Sequence, residues 1–224
     1  MLEHQQSTCW TMIEEAAAGH QERRDEFARR YAPVATAYLC ARWRSTPLMN
    51  DVDDVVQEVL MEFLKESGPL QRADRTTGYS FRGFLYGVTR NVALRAEKRR
   101  HSDKNKPGPE IDWDCLGGEE CVEREFNRAW ALSILREATE HQAQVAPDEA
   151  ARRRHRLLEL RFHEQKPIRE IATLWNEDAT HVHREYSKAR DEFKRSLLAV
   201  LTSIHPEATA AELDESCREL LTSL

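Results

Sequence analysis

The stretch HSDKNKPGPEIDWDCLGGEE, residues 101–120, interrupts a chain that is otherwise patterned for helix. It holds three of the eight glycines and two of the eight prolines, and its apolar residues show no period. On either side, apolar residues recur every three or four positions, the spacing of helices that bury one face. Runs of alternating β-branched and aromatic residues bounded by turn residues, the mark of half-buried strands, are nearly absent. The pattern predicts an all-α chain of two small helical domains joined by a flexible linker. The expected divisions are a first domain at 11–104, a linker at 105–121, a second domain at 122–203 and a C-terminal extension helix at 204–224.

Within the first block the period predicts helices near 11–30, 33–44, 51–66 and 81–100, with breaks at Pro33, Pro47 and the SGP at 67–69. The segment DVDDVVQEVLMEFLK splits into two faces. Val52, Val55, Val56, Val59, Leu60 and Phe63 fall on a core side, and Asp54, Gln57, Glu58, Met61 and Lys65 on the other. A methionine pointing outward among acids suits a protein contact. The next segment, FRGFLYGVTRNVALRAEKRR, has Phe81, Phe84, Leu85, Val88, Val92 and Leu94 as apolar surface, and Arg90, Arg95, Lys98, Arg99 and Arg100 in its second half. Cations there favour the helix dipole, and aromatic residues beside them also suit a surface for single-stranded nucleic acid.

The formal net charge of -6 conceals segregation. Basic residues dominate 81–106 and 152–195, whereas 107–127 and the end of the chain after His205 are acidic. Local basic surfaces are what nucleic acid requires, whatever the total. The five cysteines are odd in number and scattered, which points to a reducing cytoplasm. The first ten residues lack the layout of a secretion signal, and no apolar run is long enough to span a bilayer.

EIATLWNEDATHVHREYSKAR, residues 170–190, carries the sharpest local signal. Pro167 suits a first helical position, and Ile168, Ile171 and Trp175 form a stripe. Asn176 tolerates the left-handed conformation that ends a helix, and Asp178 is a good N-cap for a second helix from Ala179. On that helix Val182, Tyr186, Ala189, Phe193 and Leu197 share one arc. Thr180, Arg184, Ser187, Lys188 and Arg195 lie opposite, flanked by His181 and His183. Arginine and lysine suit guanine edges and phosphates, with Thr, Ser and His in support. An amphipathic hairpin with a solvated basic face would show the same two helices. Glu177 and Asp191 add negative charge nearby.

Taken in order, DVDDVVQEV, then FRGFLYGVTRN running into EKRR, then a linker, then LLELRFHEQKPIREIATLWNEDATHVHREYSKAR resemble a bacterial RNA polymerase sigma factor of the extracytoplasmic function (ECF) type. The resemblance covers most of 20–104 (region 2) and 125–203 (region 4). It implies a factor that binds core RNA polymerase, melts the promoter −10 element with region 2 and reads the −35 element with region 4. Asp54, Gln57, Glu58 and Met61 would meet the clamp helices of the polymerase β′ subunit. Phe81, Asn91, Arg95, Lys98, Arg99 and Arg100 would contact −10 DNA, with the loop QRADRTTGYS capturing a flipped base. Thr180, His181, His183, Arg184, Ser187 and Lys188 would contact −35 DNA.

The chain departs from the family pattern at Phe84, where tryptophan is common, at Thr89, where alanine is common, and at Trp175-Asn176, where Leu-Gly is common. EHQAQVAPDEAARRRHR lengthens the approach to region 4, and both ends extend past the usual limits. The resemblance also implies control by an anti-sigma factor or another regulatory partner. Two other readings fit the residues. One is a conventional helix-turn-helix regulator with an N-terminal sensing or dimerisation domain; the other is a polymerase-binding adaptor without promoter reading. Phosphate loops, nucleophile elbows and paired catalytic acids are absent, so neither an enzyme nor a cofactor is expected. Cys115 and Cys121 are too widely spaced for a zinc pair, so no metal is expected.

Overall fold

The structure is a computed structural model that describes residues 9–65, 68, 81–102 and 116–222. Among these residues there are helices and no strands, as the periodicity predicts. In chain order they are α1 Cys9–Ala17, α2 Gln21–Trp43, a 3₁₀ segment Pro47–Asp51, α3 Val52–Leu64, α4 Phe81–Ser102, α5 Glu119–Gln144, α6 Glu149–Phe162, α7 Ile168–Trp175, α8 Ala179–Ile204 and α9 Ala210–Thr222. The chain forms two compact units, the first running to Ser133 and the second covering Ile134–Glu219. The loop 71–80, Cys115 and most of the expected linker lie outside the described residues.

In the first unit the chain breaks at Gly19, not at Pro33. Gly19 has a φ of +99°, a left-handed conformation that glycine adopts without a Cβ clash. Pro33 lies inside α2, which continues to Trp43. An interior proline removes one helical hydrogen bond and costs about 3 kcal/mol. Burial of Tyr31, Val34, Ala35, Tyr38 and Leu39 on either side of it offsets that cost, since each large apolar side chain contributes about 1.5–3 kcal/mol.

Residues expected to begin the second domain belong to the first unit. Val122, Phe126 and Trp130 follow one another at four-residue spacing on α5, and all are buried. The Trp130 ring stacks on Tyr31 at 5.9 Å, and Phe126 meets the edges of Tyr86 at 5.1 Å and Tyr38 at 6.4 Å. Gly117, expected in the linker, is tied down as well: its N–H donates to the carbonyl of Arg42 at 2.7 Å. A Cβ on Gly117 would lie 2.2 Å from the carbonyl oxygen of Ala41, a backbone atom that cannot swing aside. Gly117→Ala should therefore force the start of α5 off α2 and destabilise the first unit by about 1–3 kcal/mol, as overpacking does elsewhere. Urea unfolding would show this as a lower midpoint, and an unchanged midpoint would mean that the contact is dispensable.

The second unit is built on α6, α7 and α8. Leu157, Leu160, Ile168, Ile171, Ala172 and Val182 form its core, with Trp175, Ala179 and Tyr186 packed against them. Arg154 joins α6 to α8 through Glu192 at 2.7 Å and Glu185 at 3.3 Å. The extension helix α9 starts with a reciprocal cap. Thr209 N–H donates to the Glu212 carboxylate at 2.7 Å, and Glu212 N–H donates to the Thr209 hydroxyl at 3.4 Å. Leu213 and Cys217 are buried, and Asp214 pairs with Lys194 of α8 at 3.4 Å.

Candidate nucleic-acid interface

The first candidate surface lies on α3 and α4. Burial of Val52, Val55, Val56, Val59 and Phe63 turns the other side of α3 outward. Asp54 and Gln57 are exposed, Glu58 is partly so, and Met61 is 70% exposed, the most of the large apolar residues described. On α4, Asn91, Arg95, Lys98 and Arg99 are exposed and Arg100 is half-buried.

These residues are not independent. Glu58 accepts two hydrogen bonds from Arg99, at 2.7 and 2.8 Å, and Glu62 accepts one from Arg95 at 3.0 Å. Two carboxylates four apart on α3 thus meet two arginines four apart on α4 in reverse order, as antiparallel helices require. Lys65 at 2.6 Å and Arg95 together hold the Glu62 carboxyl below its ordinary range. Sequence reading did not single out Glu62. Its signal was the matched spacing of 58/62 with 95/99.

Phe81, expected at the DNA face, is a correction. It is 1% exposed and sits among Tyr31 at 5.0 Å, Phe27 at 6.2 Å, Trp130 at 6.3 Å and Phe84 at 6.4 Å. An aromatic ring at the first position of a helix that folds back on α2 is captured by the core before it can face a base. Phe84 is half-buried and packs on Phe63 at 5.8 Å. Thr89 is fully buried, and its hydroxyl donates to the Leu85 carbonyl at 2.8 Å, so the extra oxygen carries its own partner.

α4 is held in place by an interior ion pair. Glu97 is 7% exposed and accepts from Arg42 at 2.5 and 3.0 Å and from the Trp43 indole N–H at 2.8 Å. The hydrogen bonds to Glu97 push the Arg42 guanidinium above its usual range. The basic residues Arg95, Lys98 and Arg99 lie on the same two turns of helix as this anchor.

The second candidate surface is the α7–turn–α8 segment. Asn176 ends α7 at φ 53°, ψ 46°, and Asp178 caps α8 by accepting from His181 N–H at 3.1 Å. The Thr180 hydroxyl and the His181 amide hold the Asp178 carboxyl below its usual range, as expected for a working cap. Val182, Ala189 and Leu197 are buried and Tyr186 and Phe193 half-buried, which leaves Thr180, His181, His183, Arg184, Ser187 and Lys188 all exposed along the start of α8. Arg184 makes no ion pair among the described residues, while Lys188 is held by Glu185 at 2.7 Å.

The unusual turn residues share one partner that sequence reading passed over. The Arg153 guanidinium lies 4.4 Å over the Trp175 ring and pairs with Glu177 at 2.7 Å. Glu177 in turn lies 3.8 Å from His181. Arg153 sits on α6, so one side chain ties that helix to the end of α7 and to the turn before α8.

The family model of sigma-70 region 2 matches residues 27–102. No curated protein matches the chain. The matched span takes in most of α2, the 3₁₀ segment, α3 and α4, which are the elements that carry the first surface.

Proposed function

We propose that this chain is a sigma-70 family factor of the ECF type that acts in RNA polymerase binding and promoter recognition, a reading supported by the region 2 match at residues 27–102. In this reading the outward face of α3, with Asp54, Gln57, Glu58 and Met61, meets the clamp helices of the polymerase β′ subunit. Asn91, Arg95, Lys98, Arg99 and Arg100 of α4 engage the −10 element. The second unit acts as region 4, with α8 as the recognition helix of a helix-turn-helix and the six exposed residues from Thr180 to Lys188 on −35 DNA. Its role is binding rather than catalysis. An anti-sigma factor or another protein would control its access to the polymerase.

One observation carries the region 4 reading. Left-handed Asn176, the Asp178 cap and the buried arc of α8 agree in register, so the polar arc faces out over the first turns of the helix. That is where such a helix presents side chains to a major groove. Reconstituted transcription tests the whole reading. The chain added to core polymerase should start transcripts at defined promoters, mapped by sequencing their 5′ ends. A conventional regulator would need an existing holoenzyme, and an adaptor would bind polymerase without selecting start sites.

Arg184 is the clearest single contact to remove. Arg184→Ala in the holoenzyme should cost about 1–3 kcal/mol at its cognate −35 element and relax sequence preference there. Competition binding with −35 variants would show it; an equal loss for every sequence would make Arg184 a phosphate contact instead.

A further inference from the structure

We propose that Arg153 and Glu177 form a positioning pair for His181, so that preference for one base pair of the −35 element depends on two side chains that need not touch DNA. This rests on the assignment of α8 to −35 DNA above and adds the device that holds one of its reading side chains. The turn before α8 brings two carboxylates together, Glu177 and Asp178, at the end of the helix that would face phosphates. Asp178 is taken up by the cap, where it accepts from the His181 N–H at 3.1 Å. Glu177 is taken up by Arg153 at 2.7 Å, the one arginine or lysine that pairs with it among the described residues. Left alone, that carboxylate would repel the DNA backbone.

The pair is built from the core outward. Trp175 packs against the core of Leu157, Ile171 and Val182, and its ring carries the Arg153 guanidinium at 4.4 Å. Stacking fixes the plane of the guanidinium, and the guanidinium in turn fixes one carboxylate oxygen of Glu177, Oε1. The other oxygen, Oε2, then lies 3.8 Å from His181 Nε2. That is close enough for charge to orient the ring, although too long for a direct hydrogen bond. Other charged groups of this cleft have partners of their own: Glu185 pairs with Lys188 and Arg154, and Glu149 with Arg152. The His181 side chain remains half exposed on the first turn of α8. With Nε2 turned to Glu177, Nδ1 is the ring nitrogen left for DNA.

The test uses the full-length chain assembled with core polymerase, in competition binding against duplexes that vary one −35 base pair at a time. His181→Ala should reduce discrimination at one base pair about fivefold. Glu177→Gln and Arg153→Gln should reduce it at the same base pair by about two- to fivefold, the scale of one partly exposed ion pair. Arg184→Ala should act at a different one. Arg153→Gln should also weaken binding to every sequence by baring the Glu177 carboxylate, and adding Glu177→Gln should restore that loss. Glu177→Gln leaves Arg153 on Trp175, so it reads the positioning role even where Arg153→Gln loosens the unit. The same loss from Arg153→Gln with Glu177 present or replaced would make Arg153 a phosphate contact and overturn the pair. So would wild-type discrimination at the His181 base pair in Glu177→Gln. If His181→Ala and Arg184→Ala both leave discrimination unchanged everywhere, the −35 assignment itself fails and takes the pair with it.

Discussion

Glu97→Ala should destabilise the first unit by about 3–5 kcal/mol, the loss typical of removing one partner from a buried ion pair. Arg42 would be left with its guanidinium mostly buried and two hydrogen bonds unmade, and the fully buried Trp43 indole would lose its acceptor. Against a domain stability of about 5–15 kcal/mol, that is enough to unfold much of the unit at ordinary temperature. Glu97→Gln should fall between, since an amide oxygen can still accept from Trp43 but an amide nitrogen cannot face Arg42. Urea unfolding followed by circular dichroism would rank the three proteins. A Glu97→Ala midpoint within about 1 kcal/mol of wild type would mean that water replaces the carboxylate and that α4 is anchored by its apolar face alone. The functional consequence follows from position. Glu97 lies between Arg95 and Arg99, so loss of this anchor lets the cation track move even where the unit survives.

Charge reversal on α3 should have the largest effect on binding. Asp54→Lys and Glu58→Lys each place a cation where the proposed partner surface is itself cationic. Like charges brought together across an interface cost several kcal/mol. A loss of about 3 kcal/mol is more than a hundredfold in affinity, so neither variant should pull down core polymerase. Helix content should not change, because Asp54 is exposed and the ion pair lost with Glu58 is a surface one. Normal recovery of core enzyme by both variants would move the polymerase contact off α3. The two variants also differ usefully. Only Glu58→Lys also breaks the ion pair with Arg99.

The residue order made the local features legible. Asn176 in a left-handed conformation, Asp178 as a cap bonded to His181 and the buried arc of α8 each depend on partners a few positions away, or on one helix's own period. The two faces of α3 were readable for the same reason, and so were the six exposed positions at the start of α8. Pro33 shows the limit of local reading. Its cost to α2 is real, but the deciding quantity is the burial of neighbours such as Tyr31 and Tyr38 against helices far along the chain.

What the chain order settled, then, is helicity, two units and the chemistry offered on each polar face, because period, caps and charge blocks act over one or two turns. Tertiary packing decided which of those charges are already spoken for. Glu58 with Arg99, Glu62 with Arg95 and Arg42 with Glu97 join positions 41, 33 and 55 residues apart. It also decided that Phe81 is a core residue and that Val122, Phe126 and Trp130 complete the first unit. Such choices turn on which surfaces meet once helices pack, and apolar area and opposite charge are indifferent to separation along the chain.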